Sequence, residues 1–170
     1  MSDTLDGLVI ARTGNTYEVE ISPQQIIHCH ARAKSLTAVC GDHVELLSKD
    51  VSQVITHIKA RKNCISRVDN FKRTKVLAAN IDMMVVVLAT LPVYDLHTLN
   101  IYLAFAEQID TQACIVLNKA EQLGPNDNYQ TQLESIYSDL DYPVIVCSAH
   151  SGVGISKLKQ QIANKISVLV

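Results

Sequence analysis

Two short polar stretches, each following an apolar run, hold the residues whose types and spacing suit ligand chemistry. Asn118-Lys119-Ala120-Glu121 follows Cys114-Ile115-Val116-Leu117, and Ser148-Ala149-His150 follows Val144-Ile145-Val146-Cys147. Apolar runs of this length are expected for strands buried on both faces of a parallel sheet. Ligands of open α/β sheets bind just beyond the carboxyl ends of the strands, which makes Asn118, Lys119, Glu121, Ser148, Ala149 and His150 candidate binding residues. Taken singly, either stretch is better read as an ordinary polar strand-to-helix loop.

Together the two have a chemical logic directed at a purine. A carboxylate at Glu121 can accept two hydrogen bonds, from the ring N–H and the exocyclic amino group of guanine. Adenine offers neither in that arrangement, and a buried acceptor left unpaired is costly, so the pair discriminates. The Lys119 stem can cover the base plane, and Asn118 can bridge the surrounding loops. A backbone N–H near the small Ala149 would reach the guanine carbonyl oxygen. Asn-Lys-x-acid followed one strand–helix unit later by Ser-Ala-x resembles the guanine-recognition motifs of GTPases. Those motifs carry Asp where this chain has Glu121, and the extra methylene keeps the acceptor pair while displacing it.

Other constellations carry less. Ser151-Gly152-Val153-Gly154-Ile155-Ser156 is not a phosphate-binding loop, because no Gly-Lys pair occurs anywhere in the chain. Its glycines are expected to form the turn that starts a helix at Ile155. There is also no Asp-x-x-Gly for a magnesium and γ-phosphate side. His28-Cys29-His30 contains zinc-ligand types, yet on a strand the histidines face one side and Cys29 the other. Cys147 and His150 lack an orienting third group and are read as packing. No catalytic residue and no metal ligand is assigned.

The elements that must position the two loops are legible. At 170 residues, 48% hydrophobic and 19% charged, the chain has the make-up of a folded globular protein with a sizeable core. Tyr17, Val19 and Ile21 alternate with Glu18 and Glu20, as a half-buried strand requires. Gly14-Asn15 is a candidate hairpin turn. Short runs at 26–32, 43–47 and 53–58, separated by Gly-, Asp- and Ser-containing breaks, suggest a five-stranded Greek-key barrel such as the OB-fold, or another small β-barrel or sandwich. From Val76 the period changes. Strands are expected at 85–89, 114–117, 144–147 and 167–170. Leu99, Tyr102, Leu103 and Ala106 recur at helical spacing, as do Leu133, Ile136, Tyr137 and Leu140, and Ile155, Leu158 and Ile162. Strand–helix alternation argues for a parallel α/β sheet.

Five cysteines, at 29, 40, 64, 114 and 147, contain no C-x-x-C pair and several lie in apolar runs, which suggests reduced thiols in a cytoplasmic protein. The N-terminus lacks the basic and apolar regions of a signal peptide, and Met83–Ala89 is too short to span a bilayer. The net charge of −2 gives no overall nucleic-acid signature. Locally the picture differs: Lys59, Arg61, Lys62, Arg67, Lys72, Arg73 and Lys75 crowd seventeen positions against one acid, Asp69. Charge alone supports two readings, a solvated linker or a strip that grips nucleic-acid phosphates.

Nearly the whole chain resembles the N-terminal part of the ribosome small-subunit-dependent GTPase family (RsgA, also called YjeQ). Gly7-Leu8-Val9, Tyr17-Glu18-Val19, Cys29 and Gly41-Asp42-His43-Val44-Glu45 resemble its OB domain. Val54-Ile55 through Ala60-Arg61-Lys62-Asn63 and Ser66-Arg67 resemble its linker. Ala78-Ala79-Asn80-Ile81-Asp82 resembles the opening of its GTPase domain, with Pro92 after the first strand. Ile101 departs from the pattern, which has a basic residue there. The resemblance implies an α+β two-domain protein: an OB-fold β-barrel over 1–60, a basic linker over 61–75, and part of a circularly permuted α/β P-loop GTPase domain over 76–170.

In that family the base-recognition motifs precede the phosphate loop, and Ser167-Val168-Leu169-Val170 resembles the strand leading into it. The chain is therefore expected to stop before the P-loop, the magnesium and switch segments and a zinc-binding domain. The resemblance implies that the complete protein binds GTP and GDP, hydrolyses GTP and acts late in maturation of the small ribosomal subunit. It further implies ribosomal RNA as a partner, contacted through the barrel and Arg61, Lys62, Arg67, Lys72 and Arg73, and no membrane partner. Magnesium and zinc are expected only with the C-terminal part, and the chain as given is expected to be inactive alone. Two alternatives stand beside this: a non-catalytic OB–α/β adaptor for ribosomal RNA with a vestigial nucleotide pocket, and an unrelated α/β enzyme binding a small molecule at 118–121 and 148–150.

Overall fold

The computed structural model describes residues 4–33, 36–49, 52–92, 94–124 and 126–170, and the chain divides into two compact units, Met1–Asn80 and Ile81–Val170. In the first unit, β1 (Thr4–Thr13), β2 (Thr16–Ser22), β3 (Gln25–Ala31), β4 (His43–Lys49) and β5 (Ser52–Ile58) close a barrel in the order β1-β2-β3-β5-β4. The five-stranded barrel expected from the alternation is present. Its core is Val9, Tyr17, Val19, Cys29, Ala38, Val44, Leu46 and Ile55, every one of them buried. Gly14 turns β1 into β2 at φ 61°, a conformation that glycine adopts without a Cβ penalty. Cys29 points into the core while His28 and His30 are exposed, as alternation demands. Burial pushes the Cys29 thiol up to about 11.

The segment 61–75, expected as a basic linker, has regular structure of its own. It carries β6 (Cys64–Val68) and the start of β7 (Thr74–Ala79), an antiparallel hairpin belonging to the first unit. An isolated bridge between Cys40 and Ala78 attaches β7 to the barrel segment, so the division falls at Asn80/Ile81 rather than after residue 75. Two side chains fasten this attachment. Asn80, at φ 53°, donates from Nδ2 to the Gly41 carbonyl at 2.8 Å and accepts the Lys62 N–H on Oδ1 at 2.8 Å. Asp42, fully buried, accepts the Val39 N–H at 2.8 Å and both arms of Arg61. Gly41 sits at φ 90° against the Ala79 carbonyl, with no room for a Cβ.

The second unit is a parallel four-stranded sheet in the order β10 (Val144–Val146), β9 (Gln112–Asn118), β8 (Met83–Ala89), β11 (Ser167–Leu169). Helices α1 (Leu96–Gln108), α2 (Tyr129–Tyr137) and α3 (Ile155–Ile162) alternate with the strands, as the change of period predicted. Ala113 to Leu117 are all buried, β9 being a central strand whose side chains on the sheet faces are covered by helices, α3 among them. Ile155, Leu158 and Ile162 of α3 pack on Met83, Val85, Cys114, Val116 and Ile145. Asp95 caps α1, accepting the N–H groups of His97 and Thr98 at 3.0 Å each; the Thr98 hydroxyl at 2.8 Å first, and then these bonds, hold its carboxyl below the usual range. Among the described residues no helix is long and apolar enough to cross a membrane.

Candidate functional site

The parallel register of β9 with β10 places Leu117 beside Val146, so the residues that follow leave the sheet at the same edge, side by side. Backbone hydrogen bonds continue past the strands: Cys147 N–H to Leu117 O at 2.9 Å and Ala120 N–H to Cys147 O at 3.0 Å. The Asn118 side chain closes the gap, its Oδ1 accepting the Ala149 N–H at 3.1 Å. The two polar stretches singled out in the sequence are therefore one continuous loop cluster.

Each loop has a local reason for its shape. Lys119 adopts the left-handed conformation at φ 64°, which breaks β9 and starts the 3-10 turn Ala120–Gln122. Its Nζ donates to the Leu91 carbonyl at 2.9 Å, so the stem lies across the neighbouring strand end. The second loop is laced by Ser148 N–H to Val153 O at 2.8 Å, Gly152 N–H to Ser148 O at 2.9 Å and Ser151 N–H to Ser148 Oγ at 3.0 Å. Gly154, at φ 72°, lies against the Val146 carbonyl where no Cβ fits, and opens α3. This is the turn-and-helix-start role anticipated for these glycines.

The electrostatics converge on Glu121. Chiefly the Ser148 hydroxyl, and then a bond to its own backbone and the charges of His150 and Lys119, hold its carboxyl below the ordinary range. Glu121 is exposed, and with its carboxyl held below the ordinary range it is ionised at neutral pH. Ser148 is fully buried, a positioning group between Glu121 and the Ser151 N–H. His150 and Ala149 are exposed beside it. No described residue accepts the His150 backbone N–H, whereas that of Ala149 is taken by Asn118. Cys147 is buried, its thiol raised by burial and the Glu121 charge, which fits packing rather than nucleophilic chemistry.

Some contacts had no sequence signal or a signal that did not name the partner. The Leu91 carbonyl receives Lys119, and backbone carbonyls have no residue type to read. Thr90, at the end of β8 and 4% exposed, has a hydroxyl without a partner among the described residues. Asp42 and Asn80 lie far in sequence from the groups they hold. Of the expected RNA contacts, Lys62, Arg67, Lys72 and Arg73 are exposed, the last three on the β6–β7 hairpin. Arg61 is different: its fork is spent on the buried carboxylate of Asp42, which makes it a structural residue of the first unit. Among the described residues no group of three or more His, Cys, Asp or Glu converges as a metal site.

A closed β-barrel unit followed by a parallel α/β unit, with an Asn-Lys-x-acid loop hydrogen-bonded to a Ser-Ala-x loop, has the architecture of a GTPase whose base-recognition segments come early in the chain. The chain belongs to the RsgA GTPase family, whose model matches residues 58–170. It is 35% identical to the small ribosomal subunit biogenesis GTPase RsgA of Mannheimia succiniciproducens, over 100% of this chain and 50% of that protein. The protein of the same name from Actinobacillus pleuropneumoniae is 31% identical over 100% and 51% respectively. The chain thus spans about half the length of the curated relatives it matches. The crystal structure of YjeQ from Thermotoga maritima superposes with a TM-score of 0.81 at 28% identity, covering 99% of this chain and 60% of that one. YloQ, described as a circularly permuted GTPase, gives 0.78 at 20% identity, a likeness of fold, over 99% and 60%.

Proposed function

We propose that this chain supplies the barrel and the guanine-recognition half of a GTPase acting in biogenesis of the small ribosomal subunit in the cytoplasm. The observation that carries the reading is the 3.1 Å hydrogen bond from the Ala149 N–H to Asn118 Oδ1, which makes one pocket rim of two separate loops. Glu121, ionised and positioned by Ser148, takes the ring N–H and amino group of guanine. The Lys119 stem, tethered at Leu91, covers one face of the base. The guanine carbonyl oxygen is met by the His150 N–H, because that of Ala149 is already engaged. Catalysis is assigned to no residue of this chain. Phosphoryl transfer needs a lysine and a magnesium ion on the β and γ oxygens, and these 170 residues contain no Gly-Lys pair to open a phosphate loop.

The first unit is the RNA-contacting part in this reading, with ribosomal RNA met by Lys62, Arg67, Lys72 and Arg73. The family and the printed name of its relatives support the assignment. The test is a titration of the 170-residue chain with fluorescent GDP, ADP and a guanosine nucleoside. Tighter binding of both guanine ligands than of ADP is expected, with no single-turnover GTP hydrolysis above background. Equal affinity for GDP and ADP overturns the base-recognition assignment.

A further inference from the structure

The barrel surface itself is poorly suited to a polyanion. On the outward side of β2 and β3, Glu18 stands opposite His28 and Glu20 opposite Ile26, so carboxylates occupy the face that OB-type barrels commonly give to nucleic acid. Positive charge gathers instead on the β6–β7 hairpin. There Arg67 stands directly opposite Lys75 in the strand register, both exposed. Like charges facing each other across a ladder are destabilising, and a bound anion would relieve the repulsion.

The hairpin tip adds a feature that charge does not explain. Phe71 is 78% exposed, among the largest exposures of any apolar side chain described, and Val68 beside the turn is 66% exposed. The tip is nevertheless well built. Asp69 Oδ1 accepts the N–H groups of Phe71 at 2.8 Å and Arg73 at 2.9 Å, Lys72 takes φ 58°, and Arg73 Nε donates to Asp69 Oδ2 at 3.0 Å. Arg73 lies over the Phe71 ring with its guanidinium carbon 5.0 Å from the centroid. One ring face is thereby backed by a cation and the ring is held out to solvent. An aromatic platform amid phosphate-seeking cations is the arrangement that binds single-stranded nucleic acid, where bases stack on rings and the backbone meets positive charge.

We propose that the β6–β7 hairpin is a stacking finger for single-stranded RNA: Phe71 takes an unpaired base on its open face, and Arg67 and Lys75 hold an adjacent phosphate. This rests on the RNA-contacting role proposed above and narrows it to unpaired RNA and to the hairpin rather than the barrel face.

The test uses the full 170-residue chain and three probes: a short oligoadenylate, a short RNA duplex and polyglutamate. Phe71→Ala is expected to weaken oligoadenylate binding by at least about fivefold, the lower range for loss of one base–aromatic stack, with the salt dependence unchanged. Phe71→Tyr should retain the affinity. Arg67→Glu with Lys75→Glu should weaken binding and flatten its salt dependence. The duplex should be insensitive to Phe71→Ala. Unchanged oligoadenylate affinity of Phe71→Ala, beside salt-dependent binding by the parent chain, overturns the stacking finger alone. An equal loss with the duplex or with polyglutamate overturns it in favour of a general anion or acidic-protein surface. Failure of the parent chain to bind any RNA overturns this inference and the RNA-contacting role together.

Discussion

Arg61 closes both arms of its guanidinium on the buried carboxylate of Asp42, Nε to Oδ1 at 2.7 Å and Nη2 to Oδ2 at 2.8 Å. Asp42 is completely buried and Arg61 about a quarter exposed, and the contact holds the Arg61 pKa above its ordinary value. Removing the cation leaves a buried charge without its partner. Arg61→Ala should therefore destabilise the first unit by about 3–5 kcal/mol, seen as a lowered midpoint in urea. Arg61→Lys should recover only part of this, because an ammonium cannot reproduce the fork. A neutral Arg61→Ala would show that the pair is dispensable.

The bridge between Asn118 and Ala149 makes a second prediction. Asn118→Ala removes the acceptor and leaves the Ala149 N–H without its partner, a cost of about 1–2 kcal/mol. GDP affinity should fall by about tenfold or more as the two loops separate. Asn118→Asp, which keeps an acceptor for that N–H, should restore the stability while differing in nucleotide affinity. Calorimetry and fluorescent GDP titration read the two effects separately.

Glu121 sets the pH dependence. Its folded-state pKa lies below that of a free glutamate, so the stabilisation from Ser148 is fully present above the unfolded value and is lost as the pH falls through the depressed one. GDP affinity should accordingly drop at a lower pH than an unperturbed glutamate would give. In Ser148→Ala the drop should move to higher pH. Glu121→Gln should remove the acid limb and lower the preference for GDP over ADP by about tenfold or more, since one acceptor is replaced by a donor. A GDP titration across pH that shows no difference among the three proteins would refute the role given to Glu121.

Two glycines separated by one residue in the same loop offer a comparison. Both have positive φ, 83° at Gly152 and 72° at Gly154, but an added Cβ meets nothing at Gly152 and the Val146 carbonyl at Gly154. Gly152→Ala should cost only the conformational term, about 1–2 kcal/mol. Gly154→Ala should exceed it by at least about 1 kcal/mol, because backbone at the end of β10 must shift. Thermal unfolding of both variants checks the order, and GDP binding should be impaired only in Gly154→Ala.

What the sequence determined by itself was set by period and by short-range chemistry. Alternation at Tyr17, Val19 and Ile21 marked the barrel, helical spacing at Leu133, Ile136 and Tyr137 marked α2, and polar residues after apolar runs marked both loops. These patterns are local: each follows from which face of one element must leave water. The tertiary structure alone decided what lies across long sequence separations. The run of cations at 59–75 reads as one strip, yet Arg61 is consumed by Asp42 while Arg67 and Lys75 are set opposite each other by a hairpin register. Asn80 looks like part of a motif, and its work is to tie Gly41 to Lys62. Charge and residue type say what a side chain can bind; only the packed chain says which partner arrives within 3 Å, because that distance is fixed by the core and not by the neighbours in sequence.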